Sequence, residues 1–327
     1  MAHRLVDLLR SIYGQDAIPR PFELLEIAQG IAQEPSSQKQ SPAARKTIAA
    51  IQASTDPLHT ALGLPLDFTF DPKDRRRVQT MIGQLLLGLL AERLFESIYK
   101  TELGTTELRL EDSREARNDT DYRVLNGQGR PVFRINIKFH GTLFRKAQEM
   151  VSLAPEDCFP LATYKIKQGL DKQENEVLPY LFVVVSGAIS APDVGALIPS
   201  DLIDLACYVH ASKKISGKRK IEEKIVDRLA NEVLPSFAPT LADLHSKLAN
   251  ATWRVLSARR ANVLLREKLF ERVYAVRVKG FTRSYGNAEV DMHFSLRDDM
   301  TPLREFLAQL GELGLHGIAG KLERGLL

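Results

Sequence analysis

The stretch Phe133-Arg134-Ile135-Asn136-Ile137-Lys138-Phe139-His140 alternates without a break. Phe133, Ile135, Ile137 and Phe139 share one side, and Arg134, Asn136, Lys138 and His140 share the other. Period two is the pattern of a half-buried strand. One side reads as core. The other carries two cations, an amide and an imidazole, which is costly inside a domain unless something binds there. The strand is therefore read as the carrier of a functional site.

Its neighbours follow from local signals. Asn126-Gly127-Gln128-Gly129 is a hairpin turn, so residues 121–125 are expected to form an antiparallel partner strand. A further strand is expected over 107–111, with a charged loop over 112–120 between them. Upstream, a helix is expected over 76–99. Between Met81 and Ala91 its only strongly polar residue is Gln84, so the helix reads as central to its domain. It then presents Glu92 and Glu96 one turn apart, on one face. Downstream, a helix is expected from Pro155 or Glu156 to about Leu170, carrying Tyr164, Lys165 and Lys167. The apolar run Tyr180–Ser186 reads as a strand buried on both faces. The order helix, three strands, helix, strand implies an α/β (α+β) fold around a mixed sheet.

The flanks are read more coarsely. Residues 1–75 form a helical N-terminal region, with helices over 1–35 and 42–53 joined by a Ser-, Gln- and Pro-rich linker. Asp74-Arg75-Arg76-Arg77 opens the central helix as a solvated end or a phosphate contact. Residues 76–200 form the core, and 201–327 a basic helical and β region. Helix is expected over 200–265, where Lys213, Lys214, Lys218, Arg219, Lys220 and Lys224 cluster; Arg254, Arg259, Arg260 and Arg266 follow. Such a cluster is a solvated loop or a phosphate-facing surface. Strands are expected over 274–279 and 288–294. The second presents Glu289, Asp291 and His293 on one face, which reads as wet, with a metal site as the alternative. Thr301 is a plausible N-cap for a helix over 302–310 that stops before Gly311.

Composition narrows the class. The chain has 327 residues, 44% of them hydrophobic, which allows a sizeable core. With 45 basic and 41 acidic residues, the net charge of +4 points to no partner by itself. Cys158 and Cys207 form neither a disulfide framework nor a zinc site. The N-terminus lacks an apolar signal-type segment. The most apolar runs, 81–91 and 177–189, fall short of the roughly 18–20 residues that span a bilayer. A soluble cytoplasmic protein with no membrane partner is expected.

Glu92, Asp121, Asn136 and Lys138 are expected to converge. Phosphodiester hydrolysis needs hard oxygen ligands for Mg²⁺ and a cation beside the attacking water. Acids, an amide oxygen and a lysine at a sheet edge meet those needs.

Residues 76–190 resemble the PD-(D/E)xK nuclease superfamily, the restriction-endonuclease-like fold. The resemblance rests on the αβββαβ order, on Asp121, and on Asn136-Ile137-Lys138 within a hydrophobic strand. It implies that Asp121 ligates the metal, that Lys138 is the catalytic lysine, and that Glu92 is the acid many members carry on the first helix. Asn136 stands where the family usually has Glu or Asp, and Thr120 stands where it has Pro. Asp119 competes with Asp121. The implied activity is a Mg²⁺-dependent DNA endonuclease, with Mn²⁺ as substitute, of the restriction or phage-defence kind. The implied partners are double-stranded DNA, contacted through Lys213, Lys214, Lys218, Arg219 and Lys220, and a second copy in a homodimer. Asn136 also supports an alternative, a nuclease-fold DNA-binding or scaffold subunit without catalysis. An unrelated α/β protein binding a small ligand on the same strand face is a third reading.

Overall fold

The alternating stretch forms a strand, and its two faces divide the molecule. The computed structural model describes residues 3–4, 72–113, 120–141, 143–198, 203, 238–277 and 288–326. In chain order the elements are β1 (His3–Arg4), α1 (Pro72–Leu103), β2 (Arg109–Asp112), β3 (Tyr122–Leu125), β4 (Pro131–His140) and α2 (Ala147–Val151). A 3₁₀ turn (Pro155–Asp157), β5 (Cys158–Ala162), α3 (Thr163–Glu176), β6 (Tyr180–Ser186) and α4 (Ala191–Ala196) follow. Then come α5 (Ala238–Ala249), β7 (Thr252–Ser257), α6 (Ala258–Glu267), α7 (Leu269–Arg272), β8 (Val273–Arg277), β9 (Ala288–Ser295), β10 (Thr301–Pro302) and α8 (Leu303–Glu323).

The result is an α/β fold with two sheets. The larger has six strands in the order β10-β7-β6-β4-β3-β2. It is mixed: β4 and β6 run parallel, and every other neighbouring pair is antiparallel. The smaller sheet, β1-β8-β9-β5, is antiparallel throughout. Helix, three strands, helix and strand occur in the expected order, with α2 and β5 inserted before α3.

Alternation along β4 and β6 builds two cores. Phe133, Ile135 and Ile137 join Leu181, Val183 and Val185 on one face, beneath apolar side chains of α1, α5 and α8. Phe182 and Val184 lie on the other face with α3, α6, β5 and β9. The polar side chains of β4 share that second face. Helix α1 is as central as its composition implies, with Ile82, Leu86, Leu87, Leu90 and Ala91 all buried. It crosses α4 at close range. A Cβ on Gly83 would collide with the Ala191 carbonyl oxygen, and one on Gly195 with that of Gln79.

Several expectations are corrected. Residues 3–4 form a strand rather than helix, because β8 offers them a pairing edge. Residues 158–162 form β5, not the first turns of a helix. Pro160 would break a helix interior, whereas β5 is an edge strand, where proline is tolerated. Phe159 and Leu161 of this strand enter the second core. Within 200–265, residues 252–257 form β7, which fills the slot beside β6. The six-stranded sheet is thus completed by strands from beyond residue 200. Helix α8 passes straight through Gly311 and kinks at Gly314, whose φ of 64° suits glycine. Thr301 pairs in β10 instead of capping the helix. The β9 face is not wet throughout: His293 is 2% exposed, because α7 and Phe144 cover it, while Asp291 is half-buried. The helices expected over 5–35 and 42–53, Asp119, and the cluster from Lys213 to Lys220 lie outside the described residues. No helix among the described residues is long and apolar enough to cross a membrane.

Candidate active site

Asp121 sits immediately before β3, one residue ahead of the pair Tyr122–Ile135. Its Oδ2 accepts the Ile137 backbone N–H at 2.6 Å. That bond latches the carboxylate to β4 between Asn136 and Lys138. The segment leading into Asp121 is braced as well. Ser113 Oγ donates to the Thr120 carbonyl at 2.6 Å, and Thr120 Oγ1 donates to the Tyr122 carbonyl at 3.2 Å. Arg134 Nη1 reaches Thr120 Oγ1 at 3.4 Å, while the same guanidinium pairs with Glu176 at the end of α3. Arg134 is the buried cation of the β4 polar face, and Glu176 is its partner.

Lys138 lies two residues further along that face. Burial pushes its ammonium down to about 8. The charge of Lys165, on α3, lowers it further, while those of Asp121 and Glu92 oppose the shift. Lys138 therefore stands among charges from β3, from α3 and from α1 on the opposite side of the sheet. Glu92 is half-buried. The Tyr122 hydroxyl ties α1 to β3: it lies 3.4 Å from the Glu92 carbonyl and donates to Glu96 Oε1 at 2.7 Å. Of the two acids on one helix face, Glu96 is held by this tyrosine.

Asn136 Oδ1 is buried and has no hydrogen-bond partner among the described residues. An unsatisfied buried acceptor costs about 1–3 kcal/mol, so this oxygen is suited to a cation or a water. His140 Nε2 is in the same condition, its imidazole desolvated, pushed down in pKa and set edge-on to Phe159 at 5.6 Å. Among the described residues no three His, Cys, Asp or Glu side chains come together as a metal-holding group. An oxygen-only site here would rest on two carboxylates and the Asn136 amide.

The structure thus places Asp121 against β4 between Asn136 and Lys138, and the charges of Glu92 and Lys165 act on Lys138 from α1 and α3. Sequence reasoning missed the bracing set of Ser113, Thr120, Arg134 and Glu176. The signal was present in Arg134: a cation on a buried strand face demands an acid, but nothing local says that the acid lies on α3. No protein-family model matches the chain, and no curated protein or solved structure matches it.

Proposed function

We propose that this chain is a metal-dependent endonuclease of the restriction-endonuclease-like class, cutting double-stranded DNA at Asp121, Asn136, Lys138 and Glu92. The observation that carries the reading is the latch from Asp121 to the Ile137 N–H, which fixes a carboxylate against β4 at the residue between Asn136, whose buried oxygen has no partner, and Lys138, whose ammonium feels the Asp121 charge. The element order and the parallel pairing of β4 with β6 support the same class. Asp121, Glu92 and the Asn136 amide would hold Mg²⁺ or Mn²⁺ through oxygen, as hard cations prefer. Bound there, the ion supplies Lewis acidity and neutralises charge at the scissile phosphate. Lys138, near 8, orients the attacking water and exchanges a proton with it close to neutral pH. The Arg134–Glu176 pair and Thr120 keep the strand entry to Asp121 rigid. A cytoplasmic restriction or defence enzyme working as a homodimer is the setting that fits.

The second reading, a DNA-binding subunit without catalysis, is favoured by the amide at 136, which stands where the resembled family has an acid. Incubation of plasmid with the parent protein and Lys138→Ala, in Mg²⁺ or Mn²⁺ and in EDTA, separates the two. The endonuclease reading expects metal-dependent cleavage that Lys138→Ala abolishes while folding is kept. Salt-sensitive binding without cleavage gives the second reading, and cleavage undiminished in Lys138→Ala removes the assignment from this site.

A further inference from the structure

A polar cleft lies on the same sheet face as Lys138. It is a cleft of about 490 Å³ whose lining includes Thr252, Arg254, Arg272 and Arg297. Strand register relates it to the candidate site. Lys138 pairs with Val184, and Val184 pairs with Arg254. Residues directly across a ladder share a face, and strands lie about 4.8 Å apart, so the two Cα atoms are ~10 Å apart with buried Val184 between them.

The lining does not form a general basic patch. Its three arginines are matched by Glu156, Asp157 and Asp298. What it offers is directed donors. Arg297 is paired with Asp298 at 2.9 Å. Both Asp157 oxygens are engaged, by the Ser295 hydroxyl and by the Arg297 N–H. Arg254 differs: its Nε donates to the Leu296 carbonyl at 2.8 Å and its Nη1 to the Trp253 carbonyl at 3.3 Å. Carbonyls fix the fork without neutralising it, and a guanidinium has five N–H donors to give. Arg272 faces Asp299 only at 3.9 Å, across a carboxylate that Lys268 holds at 2.6 Å. Arg272 Nη1 has no hydrogen-bond partner among the described residues. Two oriented guanidiniums without a hydrogen-bonded acid are the donor set that a phosphate takes in bidentate fashion.

We propose that Arg254 and Arg272 form a phosphate subsite that holds a backbone phosphate of the strand cut at Asp121 and Lys138. The inference rests on the proposed function for the identity of that strand. The subsite fixes where the strand runs: from Asp121 and Lys138, around β6, whose own residues are buried, to the cleft beside β7, a few nucleotides away.

The test is duplex binding in EDTA, where no cleavage intervenes, followed by fluorescence anisotropy across a salt series. Arg254→Gln and Arg272→Gln should each weaken every sequence alike and reduce the slope of log K against log salt by about 0.9. An unchanged slope in both variants overturns the subsite, as does a parent that binds no duplex. Inorganic phosphate, followed by ³¹P line broadening, forms the second arm. Phosphate binding that the variants lose while duplex affinity stays at the parent level overturns the assignment to a nucleic-acid strand. Thermal melts accompany each variant, because Arg254 also supports the Leu296 carbonyl; if Arg254→Gln unfolds, Arg272→Gln decides. A reduced slope in a protein that never cleaves upholds the subsite and overturns only the endonuclease reading.

Discussion

Lys138 and Asn136 are two residues apart, and each carries a measurable consequence. The Lys138 ammonium is held near 8 in the fold against its ordinary 10.5. Its folded value lies below its unfolded one, so between these limits the unfolded chain binds more protons and stability rises with pH. Below about 8 both states are protonated and this contribution is flat. The full span is worth up to about 3 kcal/mol. Denaturant unfolding in EDTA at pH 7.5 and 9.5 should therefore show the parent gaining on Lys138→Met as pH rises. The comparison cancels Cys158, whose thiol burial pushes up to about 12 and which costs stability above its ordinary value. Asn136 supplies an oxygen where the resembled family supplies a charge. Asn136→Asp is nearly isosteric and should bind Mn²⁺ or Mg²⁺ more tightly in titration calorimetry, by roughly 1 kcal/mol or more at partly buried distances. Asn136→Ala should bind it more weakly. Equal metal affinity in all three proteins would make Asn136 a polar filler beside Lys138.

Elements with a single strong period were legible in the sequence, and those defined by distant partners were not. The alternation of 133–140 gave β4 and its faces, and the β-branched run gave β6 to the residue. Strand β5 was hidden because Glu156 and Asp157 look like a helix start, and only pairing with β9 makes Cys158–Ala162 extended. Strand β7 was hidden between two helices, and its reason to exist is the edge of β6. The site followed the same division. Asp121, Asn136 and Lys138 sit on neighbouring strands and could be read, while the Arg134–Glu176 pair spans β4 and α3. The crossing of α1 and α4 makes a paired prediction. Gly83→Ala places a methyl against the Ala191 carbonyl and should destabilise by about 2 kcal/mol or more. Gly88→Ala, with open space around its added carbon, should stabilise by ~0.5–1 kcal/mol. Thermal melts of the two variants check both signs; a neutral Gly83→Ala would mean that the helices are not in close contact.

At the scale of the molecule, the six-stranded sheet draws on residues from 109 to 302. Leu303, Phe306, Leu307 and Leu310 of the last helix are buried in the same core as α1. A chain cut after residue 200 loses β7, β10 and α8 together. It should show no cooperative unfolding transition by circular dichroism, and a sharp transition would prove residues 1–200 autonomous. The position of β6 has one more effect. All seven of its residues are buried, and one of its edges is closed only by β7. During synthesis that edge waits for residue 252 to leave the ribosome, several seconds after β6 itself at about 5–20 residues per second. For that interval the nascent chain presents a bare, β-branched template of the kind that recruits chaperones or foreign strands, and translation speed between residues 186 and 252 becomes a determinant of yield.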